Sequence, residues 1–201
     1  MVSLFWIHHF FYETTKLTIN FPNILTIFRI LITPLFVIFL LKNLFSYALL
    51  VFTVAAISDG LDGLFARYFN QYSVLGAYLD PIADKLLLTS GFVCLAVIKF
   101  IPSWLTVLVL SRDILIVIGI ALFTIAGIRV EMKPTLVSKF TTSVQVLTIF
   151  LSLLNPQIPD ANAIKWSLFC ITAGFTIASG LHYIYLGLNI FQDASGNSQL
   201  E

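Results

Sequence analysis

The chain reads as an all-α integral membrane protein, with six transmembrane helices preceded by an N-terminal interfacial segment. Three observations carry that reading. Of the 201 residues 59% are hydrophobic and 10% charged, with a mean hydropathy of +0.97, whereas a soluble domain carries about 25% charged residues. The apolar residues come as long runs, and at about 20 per spanning helix they suffice for roughly six. They do not alternate with polar residues, which disfavours a transmembrane β-barrel.

Taken in order, residues 1–22 contain Leu4-Phe5-Trp6-Ile7-His8-His9-Phe10-Phe11-Tyr12, too short to cross a bilayer and aromatic in the manner of interfacial segments. His8 and His9 are expected at the headgroup level. A cleaved signal peptide fits less well, because no basic region and no small-residue cleavage site precede the first run. Residues 23–191 form the six-helix domain, with runs at 24–41, 45–68, 79–100, 103–127, 135–154 and 161–190. The connections between them are short, so any chemistry must come from residues on the spans or at their ends. Residues 192–201 are a polar tail.

With six spans both chain ends share a side. That side holds Lys16, Arg67, Arg129, Lys133 and Lys139, against Lys42, Lys99 and Lys165 on the other, and the positive-inside rule places it in the cytoplasm. A net charge of +1 with no basic stripe argues against a nucleic-acid partner. Cys94 and Cys170 lie in apolar runs without metal-ligand spacing and are expected to serve packing.

Half of the ten acids fall between positions 59 and 113: Asp59, Asp62, Asp80, Asp84 and Asp113. An ionisable side chain within a span is costly and by default marks a functional site with its partner nearby. At about 100° per residue, Asp62, Gly63, Ala66 and Arg67 all fall within about 80° of Asp59 on one helix face. Asp80 and Asp84, at i and i+4, share a side of the following helix, and the turn between brings both pairs to the same membrane end.

Four carboxylates this close repel one another unless cations neutralise them or protons bind. An all-oxygen set without imidazole or thiolate suits Mg²⁺ or Mn²⁺. Two such ions about 4 Å apart would clamp a diphosphate and offset charge on a departing oxygen. Gly60 and Gly63 each cost a helix about 1 kcal/mol relative to Ala, which makes sense where a ligand approaches the backbone, and Arg67 offers a planar fork to phosphate. Each feature has a bland counterpart: Asp80 as a helix N-cap ahead of Pro81, and the small residues as a helix-packing face. Four Asp and one Arg in register favour the functional reading.

Written out, the stretch is Asp59-Gly-Leu-Asp62-Gly63-x2-Ala66-Arg67-x8-Gly76-x3-Asp80-x3-Asp84. It resembles the signature of the CDP-alcohol phosphotransferase family, DxxDGxxARx8GxxxDxxxD, with every defining position filled. The resemblance implies six transmembrane helices, a homodimer, and transfer of a phosphoalkyl group from a CDP-linked donor to an alcohol with release of CMP. Pro22-Asn23-Ile-Leu-Thr26-Ile-Phe-Arg29 also resembles the opening of the bacterial phosphatidylglycerophosphate and cardiolipin synthases within that family. Ser111-Arg112-Asp113, and the stretch from Lys133 through Ser138-Lys139 and Thr142 to Gln145, look like the CMP-forming cardiolipin synthases. The phosphatidylglycerophosphate synthases usually carry Arg-Glu and a Gly-Lys-x-Lys-Thr pattern there. The missing long transit-type N-terminus of eukaryotic members points to a bacterial inner membrane.

By that resemblance Asp59, Asp62, Asp80 and Asp84 hold the metals, and Asp84 also acts as general base on the acceptor hydroxyl. Asp59, Gly63, Ala66, Arg67 and Gly76 would bind the CDP-diacylglycerol donor. Arg112, costly inside a span unless paired, is read with Lys139 as a pocket for an anionic acceptor, phosphatidylglycerol or glycerol 3-phosphate. Asp113, the next residue, points about 100° away on a helix. Arg129 and Lys133 either join that pocket or anchor anionic headgroups, and Lys85 is a candidate counter-ion for Asp84. An ion-coupled transporter is the rival class. It is disfavoured by the lack of internal repeats and by acids clustered at one membrane face rather than the midplane. An intramembrane prenyltransferase also uses Asp-rich Mg²⁺ sites, but is longer and lacks the Gly-x2-Ala-Arg insert.

Overall fold

The computed structural model describes residues 21–69, 74–125, 135–154 and 162–197. It describes side chains for residues 24–60, 79, 81–123, 125, 135–154 and 164–190. The interfacial segment, with His8 and His9, lies outside the described residues. The described residues form six helices: α1 (Phe21–Leu41), α2 (Phe45–Phe69), α3 (Val74–Val97), α4 (Ser103–Ile125), α5 (Leu136–Leu154) and α6 (Asn162–Asn197).

Among the described residues four stretches are long and apolar enough to cross a membrane: Ile24–Leu41, Ser103–Phe123, Leu136–Leu154 and Ile164–Ile190. The other two helices are those that carry the four clustered acids, and the apolar part of α2 runs only over Phe45–Gly60. The six helices expected from sequence are present, and in α2 the charged residues cut the apolar part short of the run at 45–68. The large hydrophobic residues exposed along these helices, among them Leu31, Leu50, Val107, Leu122 and Leu181, are the lipid-facing side chains a membrane protein requires.

The third helix starts earlier than the apolar run suggests, at Val74, so Pro81 lies inside it. Asp80 is therefore not a helix N-cap. Pro81 has no N–H to give the carbonyl four residues earlier, and that turn lacks its helical bond.

The chain divides into two compact units, Met1–Ser90 and Gly91–Glu201. In the first, α1 packs along α2 through the buried side chains of Phe36, Leu40, Ala48, Val51, Phe52 and Ala55, with the Phe36 and Phe52 rings 5.5 Å apart. The joint is a tight helix stop. Asn43 adopts φ 58°, its N–H bonds to Leu40 O at 2.9 Å, and that of Leu44 bonds to Phe39 O at 2.9 Å. This is the Schellman pattern, which satisfies carbonyls the helix end would otherwise leave bare.

In the second unit, α6 packs against both α4 and α5. The same stop recurs after α3, where Lys99 takes φ 62° and the Phe100 N–H reaches Leu95 O at 2.8 Å. Between α5 and α6 the contact is polar. Thr141, Gln145, Thr148, Ser152, Thr172, Thr176 and Ser179 are all buried, at alternating spacings of three and four that keep them on one face of each helix. The Thr141 hydroxyl donates to Phe175 O at 3.1 Å, Thr148 and Thr172 share a 2.7 Å hydroxyl contact, and Gln145 Nε2 donates to Thr176 Oγ1 at 3.4 Å. In lipid such side chains bind helices where apolar ones gain nothing over the solvent.

Candidate active site

Within the first unit three helices meet at one guanidinium. Arg29 of α1 has no exposed side-chain surface, and its Nη1 lies 2.8 Å from Asp59 Oδ1 of α2 and 2.5 Å from Asp84 Oδ1 of α3. Arg29 lies 30 and 55 positions from the two acids in sequence, so local spacing could not match it to them. Two carboxylate oxygens bound to one nitrogen must themselves be close, so Asp59 and Asp84, one acid from each pair, meet at Arg29. The acids keep 48% and 40% of their side-chain surface exposed, so both carboxylates stay partly open while the Arg29 guanidinium is buried.

Arg29 is held in turn. Its backbone carbonyl accepts the Thr33 hydroxyl at 2.8 Å, one turn along α1, and Ser58, beside Asp59, turns its hydroxyl back to Val54 O at 2.8 Å. Lys85 is the neighbour that sequence offers as counter-ion to Asp84. The structure shows Arg29 in that role. Arg29 was visible in sequence only as part of the Pro22-to-Arg29 resemblance. Its signal as a site residue was its position: an arginine in an otherwise apolar span needs an acidic partner, and the clustered acids lie on the next two helices.

Helix α2 runs unbroken from Asp59 through Arg67, and α3 is helical at Gly76 and Asp80, so each half of the signature lies on continuous helix. The side chains of Asp62, Gly63, Ala66, Arg67, Gly76 and Asp80 lie outside the described ones, as do Arg129 and Lys133 entirely. Among the described residues no three acids, histidines or cysteines gather as ligands. The donor set that is described still fits a hard divalent ion: two carboxylates converge, partly open, with no imidazole or thiolate beside them.

The second polar centre lies within the second unit. Arg112 is buried; its Nη1 donates to Asp113 Oδ1 at 2.7 Å, its Nη2 to Ser138 Oγ at 2.6 Å and Ser179 Oγ at 2.9 Å, and its Nε to the same Ser179 oxygen at 3.2 Å. The Tyr183 ring centroid is 5.8 Å from the guanidinium carbon. The expectation that Asp113 points away from Arg112 is corrected here. The Cβ directions diverge, but the arginine side chain is long enough to fold back onto its neighbour. Lys139, read with Arg112 as an acceptor contact, is exposed on the first turn of α5. Both cysteines are free, Cys94 buried and Cys170 exposed.

Comparison with known proteins places this geometry in a class. The chain matches the family model for CDP-alcohol phosphatidyltransferase over residues 19–178, which takes in Arg29, all four signature acids, Arg112, Asp113 and Ser138. It belongs to that family. A Schizosaccharomyces pombe protein named cardiolipin synthase (CMP-forming) / mitochondrial hydrolase fusion protein is 35% identical over 196 residues, covering 90% of this chain and 33% of its own. The human cardiolipin synthase (CMP-forming) is 34% identical, covering 85% of this chain and 62% of its own. A CDP-diacylglycerol–glycerol-3-phosphate 3-phosphatidyltransferase of Shigella flexneri is 33% identical, covering 82% of this chain and 93% of its own. The chain thus spans a third of the yeast relative and under two thirds of the human one. Members of the family generally depend on a divalent metal.

Proposed function

We propose that the chain transfers a phosphatidyl group from CDP-diacylglycerol to a hydroxyl of phosphatidylglycerol, releasing CMP and forming cardiolipin. The observation that carries the reading is the convergence of Asp59 and Asp84 on Arg29, since it joins the two halves of the signature at one point. The acceptor is supported by the yeast and human relatives, whose names specify CMP-forming cardiolipin synthesis and which align with 90% and 85% of this chain.

Asp59, Asp62, Asp80 and Asp84 would hold one or two Mg²⁺ or Mn²⁺ ions, whose chemistry is to offset the charge of the diphosphate and of the departing CMP. Arg67 contacts a donor phosphate, and Gly63, Ala66 and Gly76 leave room for the nucleotide beside the backbone. Asp84 takes the proton of the acceptor hydroxyl as its oxygen bonds to the phosphorus bearing diacylglycerol. The bond from that phosphorus to the CMP oxygen breaks, and CMP leaves with the bonding electrons. Lys139, with Arg129 and Lys133, would supply the positive charge that holds an anionic acceptor. The setting is a bacterial inner membrane, with site and termini on the cytoplasmic side and the chain as a homodimer.

The Shigella relative supports a second acceptor, glycerol 3-phosphate, on the same chemistry. Purified protein given CDP-diacylglycerol and Mn²⁺ with either acceptor separates the two by the lipid formed. Cardiolipin is the expected product. Phosphatidylglycerophosphate alone would transfer the assignment to the second reading, and no new lipid from either would overturn both.

A further inference from the structure

We infer that Arg112 acts as a positioning residue for the first turn of α5, and through it for Lys139, rather than as a ligand of the acceptor. The inference rests on the proposed acceptor role of Lys139. Three observations within the second unit support it. Four of the five N–H donors of the guanidinium point at protein oxygens, of Asp113, Ser138 and Ser179, leaving one on Nη1. A ligand phosphate gripped bidentately needs two parallel donors. The charge is already balanced, because Asp113, with 12% of its side chain exposed, lies 2.7 Å from a guanidinium with 3% exposed. A buried ion pair of this kind needs no incoming anion to offset it.

The third observation is where the fork points. Ser138 sits three residues into the cap of α5, whose Thr135 hydroxyl oxygen accepts the Ser138 N–H at 3.2 Å. Binding the Ser138 side chain to Arg112 of α4 and, through the same fork, to Ser179 of α6 fixes the rotation of α5 about its axis. Lys139 stands about 100° from Ser138 on that helix, so with Ser138 turned inward Lys139 is turned out, as its exposure shows. Arg112 is packed against α6 along its stem as well. A Cβ at Gly180 would meet Arg112 Cγ at 3.8 Å.

A direct ligand and a positioning residue differ in what the neutral serines do. In the purified full chain, Arg112→Lys keeps the charge but loses the planar fork, and Ser138→Ala with Ser179→Ala keeps Arg112 but removes what it holds. If Arg112 positions Lys139, both changes raise KM for the acceptor roughly tenfold or more and leave KM for CDP-diacylglycerol unchanged. Adding Lys139→Gln to the double serine variant then raises it less than the same change does in the wild type. If the serine variant keeps the wild-type acceptor KM while Arg112→Lys raises it, Arg112 is a ligand and the inference is overturned. A second measurement is independent of catalysis: the rate at which a thiol introduced by Lys139→Cys, in a Cys94→Ala, Cys170→Ala background, reacts with a maleimide. Removing the two serine hydroxyls should change that rate several-fold, and an unchanged rate would overturn the clamp. Wild-type protein inactive with both acceptors would instead strike at the proposed function, and the labelling result would still decide the clamp.

Discussion

A guanidinium with no exposed surface, set against two carboxylates from different helices, makes Asp59 and Asp84 depend on α1. Removing one partner of such a group leaves the rest without compensation, which is costlier than the pair is worth. Arg29→Gln should therefore lower the unfolding midpoint in detergent micelles by several degrees and reduce transfer; added Mn²⁺ should recover more of the midpoint in the variant than in the wild type, because cations and Arg29 neutralise the same acids. A midpoint unchanged by the substitution would contradict the role given to Arg29. The four acids and their register were legible in sequence because charge stands out against apolar runs. Arg29 was not assigned to them, since pairing across 55 residues requires knowing which helices are neighbours. Arg112 was legible as a costly residue, but not its partners: Ser138 and Ser179 are too common in membrane helices to signal anything singly.

At the scale of elements, six helices follow from the length of the apolar runs, and their ends follow from local chemistry. Lys99 occupies a left-handed position that glycine adopts freely and a β-branched residue resists. Lys99→Gly is expected to stabilise the α3 end by about 1 kcal/mol and Lys99→Val to destabilise it by a similar amount, read as shifts of the thermal midpoint in opposite directions. Thr135→Ala, removing the cap of α5, should cost about 1 kcal/mol by the same measurement. The α5–α6 seam was the element-level feature hydropathy could not show. Threonine, serine and glutamine barely lower the mean of an apolar run, so Leu136–Leu154 reads as a simple span although Thr141, Gln145, Thr148 and Ser152 face inward. The early start of α3 was hidden for a related reason: Asp80 and Pro81 look like a helix beginning, and only the continuous helix from Val74 shows otherwise.

For the molecule as a whole, low charge content is the feature from which both the fold and the site were read. It requires a lipid-facing exterior, and the few charges that remain then mark where chemistry can occur. Among the described residues five of these charges form two centres, Asp59 and Asp84 on Arg29 in the first unit, and Asp113 on Arg112 in the second. The first carries the family signature and the second orders the start of α5. The central claim, that the acids converging on Arg29 perform a CMP-releasing transfer with Asp84 as base, is tested most directly by CMP release. The assay uses CDP-diacylglycerol, phosphatidylglycerol and Mn²⁺, with the wild type compared against Asp84→Asn. The wild type should release one CMP per cardiolipin formed, and the variant, folded by its thermal midpoint, should be slower by about 10²- to 10⁴-fold, the range a general base supplies. Near-normal CMP release by Asp84→Asn would contradict the claim.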